Sequence, residues 1–382
     1  MSFSADDHRH MARALQLARR GLFTTTPNPR VGCVLVRDGV VIGEGWHQKA
    51  GEPHAEPLAL RDAAARAAKV SPGGTAPADA VARGATAYVT LEPCSHVGRT
   101  PPCADALIAS GVARVVAAMV DPNPEVAGRG LDRLRAAGIA VDSGLLEGEA
   151  RELNLGFVSR MTRGRPWLRL KVAASLDGKT ALENGVSQWI TGAAARRDAH
   201  AWRARSCAVL TGIGTVKDDN PRLTVRDLPE GMTTTRQPLR VVIDSRLETP
   251  PDAAVLTGGG TLVACAVVDP ARRAALEAGG AEIVVLPNAN GKVELPDLMR
   301  ELGRRGINEV LAEAGTKLNA SLLREGLVDE LLVYQAPMLI GDSANGMFGL
   351  PPLTDLAAAK RLTIIERRAV GTDFRLLARF AS

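Results

Sequence analysis

The sequence predicts an α/β protein with two domains. Strand-like and helix-like segments alternate along the chain, which is the pattern of layered α/β structures. The 382 residues exceed the roughly 150 of an average domain, and the alternation breaks after residue 150 before a new strand begins at Trp167. We therefore expect a first domain over 1–150, a linker over 151–165 and a second domain over 166–382.

The first domain is predicted to begin with a helix and a hairpin. Apolar residues at helical spacing indicate a helix over 6–20, and Asp38-Gly39 is a two-residue turn signal within a hairpin over 32–43. Helices are then expected at 54–69, 103–110 and 130–137, and strands at 85–90 and 114–119. Residues 71–79, rich in Pro and Gly, are expected to form a mobile loop.

The second domain repeats the alternation with its own segments. A helix carrying Arg196, Arg197, His200 and Arg203 follows the first strand of this domain. Strands are predicted at 167–171, 207–210, 239–243, 261–267, 282–285, 309–312, 330–335 and 374–380. The sequence contains no internal repeat that would indicate a solenoid.

The composition is that of a globular protein, with 46% hydrophobic and 23% charged residues. The net charge of +5 is spread without a run of five basic residues, which suits an anionic small molecule at least as well as nucleic acid. Aromatic residues make up only 3%, so stacking surfaces for single-stranded nucleic acid are scarce. We expect no nucleic-acid partner.

Five scattered cysteines in a chain of this length do not form a disulfide framework. We interpret Cys33, Cys207 and Cys265 as buried apolar residues. No apolar signal segment is visible near the start of the sequence, and no stretch reaches the ~18 apolar residues of a membrane span. A cytoplasmic location without a membrane partner is therefore expected.

One histidine, one glutamate and two cysteines form the first chemical pattern. His54, Cys94 and Cys103 can supply one nitrogen and two sulfur ligands for Zn²⁺, leaving the fourth tetrahedral position for a water that zinc acidifies to hydroxide. Glu56 follows His54 by two residues, where a carboxylate can move protons from that water to a departing amine. A His-x-Glu step followed by Pro-Cys is the signature of zinc deaminases of nucleobases.

The second cysteine departs from that signature. Eight residues separate Cys94 from Cys103, whereas the general pattern has two. A structural zinc site with His96 as a fourth ligand, or two unrelated cysteines, are the alternatives at this point.

The longer spacing between Cys94 and Cys103 matches a known family. Residues 91–103 (LEPCSHVGRTPPC) and 26–32 (TPNPRVG) closely resemble the bifunctional riboflavin-biosynthesis enzymes. In these enzymes a diaminohydroxyphosphoribosylaminopyrimidine deaminase is fused to a 5-amino-6-(5-phosphoribosylamino)uracil reductase, and the eight-residue insertion is a feature of the family. The resemblance implies an N-terminal cytidine-deaminase-like α/β/α sandwich in which Asn28, His96 and Arg99 bind the pyrimidine.

Two glycine loops mark the second half. Gly212-Ile213-Gly214-Thr215 follows one strand, and residues 313–321 (EAGTKLNAS) follow another and open a helix. Backbone N–H groups of such loops can approach phosphate closely, although the first loop lacks the third glycine of a dinucleotide fingerprint. Together with the basic helix, the loops favour a phosphorylated ligand or a dinucleotide over simple turns.

These segments, in this order, resemble the reductase half of the same family, whose domain is similar to dihydrofolate reductase. The resemblance implies an NADPH site formed by Ala173, Trp189, Thr215, Asp219, Ser245, Gly315, Thr316, Lys317, Leu318, Asn319, Ala320 and Ser321. It implies substrate contacts from Ser187, Arg203, Leu223, Arg226 and Glu313. Two of these, Arg203 and Arg226, suit phosphate because a guanidinium pairs bidentately with phosphate oxygens.

Lys171 is a candidate proton donor for the reduction. Hydride must reach C1′ of the opened ribose, and the oxygen or nitrogen there must gain a proton, which a lysine at a strand end can supply. The alternative for Lys171 is a structural ion pair. The family's Glu-Gly-Gly is Glu313-Ala314-Gly315 here, and the extra methyl is tolerated unless Ala314 needs a positive φ.

The predicted function is that of a bifunctional enzyme with Zn²⁺ and NADPH as cofactors. It would deaminate 2,5-diamino-6-ribosylamino-4(3H)-pyrimidinone 5′-phosphate and then reduce the ribosyl group to ribityl, as a homo-oligomer (dimer or tetramer). The alternative is a tRNA or nucleobase deaminase whose second half is a non-catalytic binding or oligomerisation domain. A third interpretation is a non-enzymatic binding protein stabilised by zinc.

Overall fold

The structure is a computed structural model that describes residues 3–70, 81–95, 101–124, 126–232, 234 and 236–380. The chain divides into two compact units, Met1–Gly164 and Arg165–Ser382. Each unit has its own hydrophobic core. The loop expected over 71–79 lies outside the described residues.

The helices and strands predicted for the first unit are present in the predicted order, and the structure adds one strand and two short helices after residue 139. The helices are α1 (Ala5–Arg19), α2 (Ala55–Val70), α3 (Cys103–Ala109), α4 (Arg129–Ala136), α5 (Glu147–Leu153) and α6 (Leu155–Arg163). The strands are β1 (Gly32–Arg37), β2 (Val40–Trp46), β3 (Thr86–Val89), β4 (Arg114–Ala117) and β5 (Ala140–Ser143). The predicted hairpin turn is confirmed, because Asp38 and Gly39 have φ angles of 53° and 75°.

The strands of the first unit form one sheet ordered β2-β1-β3-β4-β5. Strand β1 is antiparallel to both of its neighbours, whereas β3, β4 and β5 are parallel. On β1, Cys33 and Leu35 pack with α2, α3 and α4, while Val34 and Val36 pack with α1, α5 and α6. The first unit is therefore the α/β/α sandwich that the resemblance implies.

The segment expected to be a linker is helical instead. Residues 151–165 fall largely within α5 and α6, and Ala150 and Phe157 are buried against the sheet of the first unit. The break in the sequence pattern is the turn between these two short helices. Gly164 ends α6 with a φ of 67°, a left-handed conformation that glycine adopts without steric cost, and the first unit ends there.

Two glycines set the distance between α2 and the sheet. A Cβ atom on Gly45 would lie 2.4 Å from the carbonyl oxygen of Ala55 and 2.4 Å from the amide nitrogen of Ala59. A Cβ atom on Gly43 would lie 2.4 Å from the carbonyl oxygen of Ala59. Because no larger residue fits, β2 fixes the position at which α2 begins, and His54 and Glu56 lie at that end of α2.

The second unit contains more strands than the sequence predicts. The helices are α7 (Ala193–Arg205), α8 (Ile213–Asp219), α9 (Pro270–Ala278), α10 (Leu295–Arg304) and α11 (Thr316–Arg324), with single 3₁₀ turns at Ala254–Leu256 and Leu356–Ala358. The strands are β6 (Trp167–Ser175), β7 (Lys179–Ala181), β8 (Ala208–Gly212), β9 (Leu239–Ile243), β10 (Thr261–Cys265), β11 (Ala281–Val285), β12 (Glu309–Ala312), β13 (Glu330–Ala336), β14 (Asn345–Gly346), β15 (Leu362–Val370) and β16 (Asp373–Phe380). Strand β15 has no predicted counterpart, because its side chains are mostly exposed and show no alternating apolar pattern.

A mixed sheet ordered β11-β10-β9-β8-β12-β6-β13-β16-β15 forms the centre of the second unit. The strands from β11 to β13 are parallel, and β16 and β15 are antiparallel to their neighbours. Helices α10 and α11 pack on one face and α7, α8 and α9 on the other. The carboxyl ends of parallel strands meet at one edge, which is where open α/β sheets bind their ligands.

Substitution of Gly45 by alanine tests the contact between α2 and the sheet. We expect Gly45→Ala to lower the free energy of unfolding by about 2 kcal/mol, because the new methyl group overlaps the backbone of α2. Thermal unfolding of the full chain measures the effect. Gly148→Ala is the matched control: no atom lies within 4 Å of its added Cβ in α5, so this variant should be neutral or more stable. Equal stability of the two variants would contradict the proposed contact.

Candidate active sites

The three predicted metal ligands come together in the first unit. His54 lies just before α2, Cys94 follows β3, and Cys103 is the first residue of α3. Their ligand atoms all lie within 4.8 Å of one another. Nδ1 of His54 is 3.3 Å from Sγ of Cys103 and 3.7 Å from Sγ of Cys94.

This geometry fits a tetrahedral zinc ion. Zinc bonds of roughly 2.0–2.3 Å to nitrogen and sulfur place neighbouring ligand atoms roughly 3.5 Å apart, close to the two distances above. Within the part of the chain that the structure describes, no further histidine, cysteine or carboxylate joins the cluster. One coordination position is then open among the described residues. His96, the candidate fourth ligand, and Arg99, a predicted substrate contact, lie outside the described residues.

Glu92 holds the loop that carries Cys94. Its carboxylate is buried and accepts hydrogen bonds from the backbone N–H groups of Asp121 (3.0 Å), Gly128 (2.9 Å) and Gly130 (2.8 Å). A Cβ atom on Gly130 would lie 1.9 Å from the carbonyl oxygen of Pro93, so the two segments are in close contact. The loop before Cys94 is therefore fixed by a buried carboxylate and by backbone packing.

Glu56 lies in the first turn of α2 and is 3% exposed. Burial, with a contribution from the charge of Cys94, raises the pKa of Glu56 to about 7. The hydrogen bond from the Cys103 thiol lowers the pKa of Cys94, while the same hydrogen bond and burial raise the pKa of Cys103. A carboxyl group with a pKa near neutral can both accept and release a proton, which is the property that the sequence assigns to Glu56.

His47 connects the predicted substrate residue Asn28 with the metal cluster, and sequence reasoning missed it. Nδ1 of His47 lies 3.1 Å from the carbonyl oxygen of Pro53, so it carries the hydrogen. Burial lowers the pKa of His47, and in the neutral ring Nε2 accepts from Nδ2 of Asn28 at 3.1 Å. Oδ1 of Asn28 is therefore turned away from His47. The His47 and His54 rings lie 5.3 Å apart, edge to face.

A cleft of about 1470 Å³ lies in the second unit. The residues that the resemblance implies for NADPH and substrate line it, with two exceptions: Ala320 and Ser321 lie further along α11 and do not. Lys171 and Ala173 reach the cleft from alternate positions of β6, which continues to Ser175. Lys171 therefore lies within a strand and not at a strand end, because the strand is four residues longer than the sequence predicts.

A charge cluster lies within the cleft. Glu313 accepts two hydrogen bonds from Arg203, at 2.5 and 3.0 Å, and lies 3.6 Å from Nζ of Lys171. Burial raises the pKa of Glu313, but the charges of Arg203 and Lys171 outweigh it and lower the pKa to about 2. Glu313 is therefore ionised at neutral pH, and Lys171 is held by an ion pair while it faces the cleft.

The two arginines predicted to clamp phosphate have different surroundings. The Arg203 guanidinium already donates hydrogen bonds to the Glu313 carboxylate and to the Thr224 carbonyl oxygen. Arg226 forms no ion pair within the described residues, and burial together with the charges of Arg203 and Arg222 lowers its pKa. An anion relieves such crowding of positive charge, so Arg226 is better placed than Arg203 to bind phosphate.

Two further residues, His200 and Leu223, line the cleft together with Arg226. His200, which sequence reasoning left without a role, accepts a hydrogen bond from the backbone N–H of Arg226 at 3.3 Å. Burial and the charges of Arg203 and Arg226 lower the pKa of His200 to about 4. Leu223 has a φ of 54°, a conformation that costs a non-glycine residue roughly 1 kcal/mol and that concentrates at binding sites.

The other part of the cleft fits a dinucleotide. Asn319 lines the cleft, and its Oδ1 is a buried acceptor with no hydrogen-bond partner among the described residues. Oγ of Ser245 accepts from the backbone N–H of Val293 at 3.3 Å, which leaves its own hydrogen available to donate. Ala314 does not have a positive φ, so its methyl group is tolerated as predicted.

Comparison with known proteins covers both units. The family model "RibD C-terminal domain" matches residues 166–376, and "Cytidine and deoxycytidylate deaminase zinc-binding region" matches residues 4–119. The Riboflavin biosynthesis protein RibD of Escherichia coli is 50% identical over 375 residues, which are 96% of this chain and 97% of that protein. The chain belongs to the RibD family. The RibD of Haemophilus influenzae is 46% identical over 98% of both chains.

Solved RibD structures have the same fold. Acinetobacter baumannii RibD superposes with a TM-score of 0.88 at 42% identity, covering 99% of both chains. The diaminohydroxyphosphoribosylaminopyrimidine deaminase/5-amino-6-(5-phosphoribosylamino)uracil reductase of Thermotoga maritima superposes with a TM-score of 0.82 at 34% identity, covering 98% of this chain and 99% of that one. The predicted family and fold class are thereby confirmed.

RibD membership makes this chain a bifunctional enzyme with a zinc-binding deaminase domain and a reductase domain. A non-catalytic second half and a non-enzymatic zinc protein, the two alternatives above, are wrong, because the reductase family model spans nearly all of the second unit. None of the helices in the described residues is long and apolar enough to cross a membrane.

Metal analysis tests the zinc cluster directly. We expect the purified chain to contain about one zinc ion, and Cys103→Ser to lose most of it, because a hydroxyl group is a poor zinc ligand in place of a thiolate. Cys207→Ser is the matched control, since Cys207 is also buried but lies in the second unit. Retention of zinc by Cys103→Ser would show that the cluster is not the metal site.

Proposed function

We propose that this chain catalyses two successive reactions of riboflavin biosynthesis. The first is hydrolytic deamination of 2,5-diamino-6-ribosylamino-4(3H)-pyrimidinone 5′-phosphate, and the second is NADPH-dependent reduction of the ribosyl group to ribityl. The observation that carries this proposal is the match along nearly the whole chain to proteins whose names give this pathway and these two activities. The His54, Cys94 and Cys103 cluster and the Lys171–Glu313 pair give each unit its own chemistry.

We assign deamination to the first unit and reduction to the second, with the boundary between Gly164 and Arg165 instead of a linker from residue 151. The NADPH and substrate roles of the residues lining the cleft remain proposals that rest on the resemblance and on their shared location.

For deamination, His54, Cys94 and Cys103 would hold zinc, which as a Lewis acid activates the attacking water when bound. The Glu56 carboxylate takes a proton from that water and delivers it to the departing amine nitrogen, a role that suits its pKa of about 7. Oδ1 of Asn28 accepts a hydrogen bond from the edge of the pyrimidine. One amino group leaves as ammonia, and one oxygen from water replaces it on the ring.

For reduction, NADPH supplies the hydride to C1′ when bound. The Lys171 ammonium donates a proton to the oxygen or nitrogen at C1′, and Glu313 holds the lysine in position at 3.6 Å. Arg203 in turn fixes Glu313 through two hydrogen bonds. Arg226 binds the substrate phosphate. Arg246 and Lys292 line the cleft beside Ser245, and these two cations favour NADPH, with its additional phosphate, over NADH.

The remaining proposals concern location and partners. The described cysteines are all free, which supports a reducing cytoplasmic location.

A homo-oligomer, dimer or tetramer, is supported by β15, an edge strand of the large sheet that exposes Leu362, Ile364 and Ile365. We propose a small phosphorylated pyrimidine as the substrate and no nucleic-acid partner, because the cations that line the cleft lie among the residues proposed to bind NADPH and the substrate phosphate.

A coupled assay with Glu56→Gln tests the deaminase proposal. With the phosphoribosylated diaminopyrimidinone supplied, the wild-type chain should release ammonia and then oxidise NADPH. A chelator should stop both with this substrate, but should leave NADPH oxidation with the deaminated intermediate unchanged. Glu56→Gln should lower ammonia release by about 10²-fold or more, because the amide cannot carry the proton, while NADPH oxidation with the deaminated intermediate stays normal. Glu147→Gln, an exposed change on α5, is the control. Ammonia release by the wild type without any NADPH oxidation would contradict the bifunctional proposal.

Lys171→Ala tests the proton donor in the reductase. Turnover at saturating deaminated substrate and NADPH should fall by about 10²-fold, since no other ammonium group pairs with Glu313 in the described part of the cleft. Ammonia release should be unchanged. Arg273→Ala, which removes an exposed ion pair with Glu277 on α9 of the same unit, away from the cleft lining, is the control and should leave turnover intact. Unchanged turnover of Lys171→Ala would remove this residue from the mechanism.

A further inference from the structure

A buried asparagine between two short helices contacts the loop that carries Asn28. Asn154 is 1% exposed and lies between α5 and α6. Its Oδ1 accepts a hydrogen bond from the backbone N–H of Arg30 at 2.8 Å, and its Nδ2 donates to the carbonyl oxygen of Arg30 at 3.0 Å. One side chain thus satisfies both backbone polar groups of a residue that is 124 positions away in the chain.

Other groups of the same helices extend this contact. The Arg30 guanidinium donates from Nη1 to the carbonyl oxygen of Leu153 at 2.8 Å. Nη2 of Arg160, on α6, lies 3.5 Å from the carbonyl oxygen of Pro27. The helix pair therefore contacts the loop on both sides of Asn28, at residue 27 and at residue 30.

The loop is also fixed at its other side by the deaminase site. The backbone N–H of Asn28 donates to Thr25 within the loop at 2.8 Å, and its side chain donates to His47 at 3.1 Å. Neither contact crosses from the loop to α5 or α6. Asn154 is the buried side chain of the helix pair that holds both backbone polar groups of Arg30, two residues after Asn28.

We propose that Asn154 is a positioning residue for the deaminase, which sets the position of Asn28 by clamping the backbone of Arg30. This proposal rests on the substrate role proposed for Asn28. It makes α5 and α6 part of the deaminase site, although the sequence indicates a linker there. Asn154 itself does not contact the reacting atoms.

Amide exchange on the full chain tests the clamp without any assumption about function. In Asn154→Ala the backbone amide of Arg30 loses its acceptor, so we expect its exchange to be about tenfold faster, while the amides of α2 keep wild-type rates. Asn154→Asp retains an acceptor for the amide and has the same size, so its exchange should lie between those of the alanine variant and the wild type. Wild-type exchange at Arg30 in Asn154→Ala would overturn the clamp.

Steady-state kinetics then test the positioning role. Asn154→Ala should raise the deaminase KM for the pyrimidine by about three- to tenfold, the loss expected for one or two neutral hydrogen bonds, with kcat within about twofold of the wild type. Zinc content and NADPH oxidation with the deaminated intermediate should not change. Thr162→Ala, whose hydroxyl donates within α6, is the matched control and should leave KM at the wild-type value.

A double-mutant cycle separates positioning from general loosening of the unit. If Asn154 acts through Asn28, adding Asn154→Ala to Asn28→Ala should raise KM by less than about 1.5-fold beyond the single Asn28 variant. Multiplicative effects would overturn the proposal, as would a normal KM in either single variant. The absence of ammonia release by the wild type would instead refute the proposed function, and the exchange experiment would still decide whether the clamp exists.

Discussion

A buried carboxylate needs positive charge or hydrogen-bond donors around it, and both active sites depend on how this need is met. Glu56 lies beside thiols and a histidine, and its pKa is about 7. The Glu313 side chain is 12% exposed and lies between a guanidinium and an ammonium group, and its pKa is about 2. The same residue type is therefore a proton carrier in one unit and a fixed negative charge in the other, because the neighbouring groups differ.

Two other buried side chains, Glu92 and Asn154, have backbone groups as their hydrogen-bond partners. Glu92 has peptide N–H groups as its partners, and through them it holds the loop before Cys94. Asn154 satisfies both backbone groups of Arg30. In each case a buried side chain supplies hydrogen bonds to backbone groups of an irregular segment that lacks the regular pairing of helices and strands.

Much of this architecture could be predicted from the sequence. The α/β layers could be predicted from the alternation of strand-like and helix-like segments. The zinc cluster could be predicted from the order of His54, Cys94 and Cys103, because the type of each ligand and its spacing can be read directly from the sequence. His47, His200 and Asn154 could not be predicted, since each is a single polar residue whose partners are distant in sequence and appear only after folding. The exposed strand β15 was missed because its side chains show no alternating apolar pattern. The helices α5 and α6 were missed because both are short and the turn at Asn154 interrupts the helical pattern between them.

The glycine that ends α6 has a consequence for how the two activities can be joined or separated. Gly164 stops the helix in a left-handed conformation one residue before the second unit begins, so the covalent joint between the catalysts is almost without length. A gene cut at this codon would leave every layer of the deaminase intact. A cut at residue 150 would remove α6, with Phe157, from the face of the sheet that α1 also covers. A joint or a cut placed after α6 therefore keeps both folds whole.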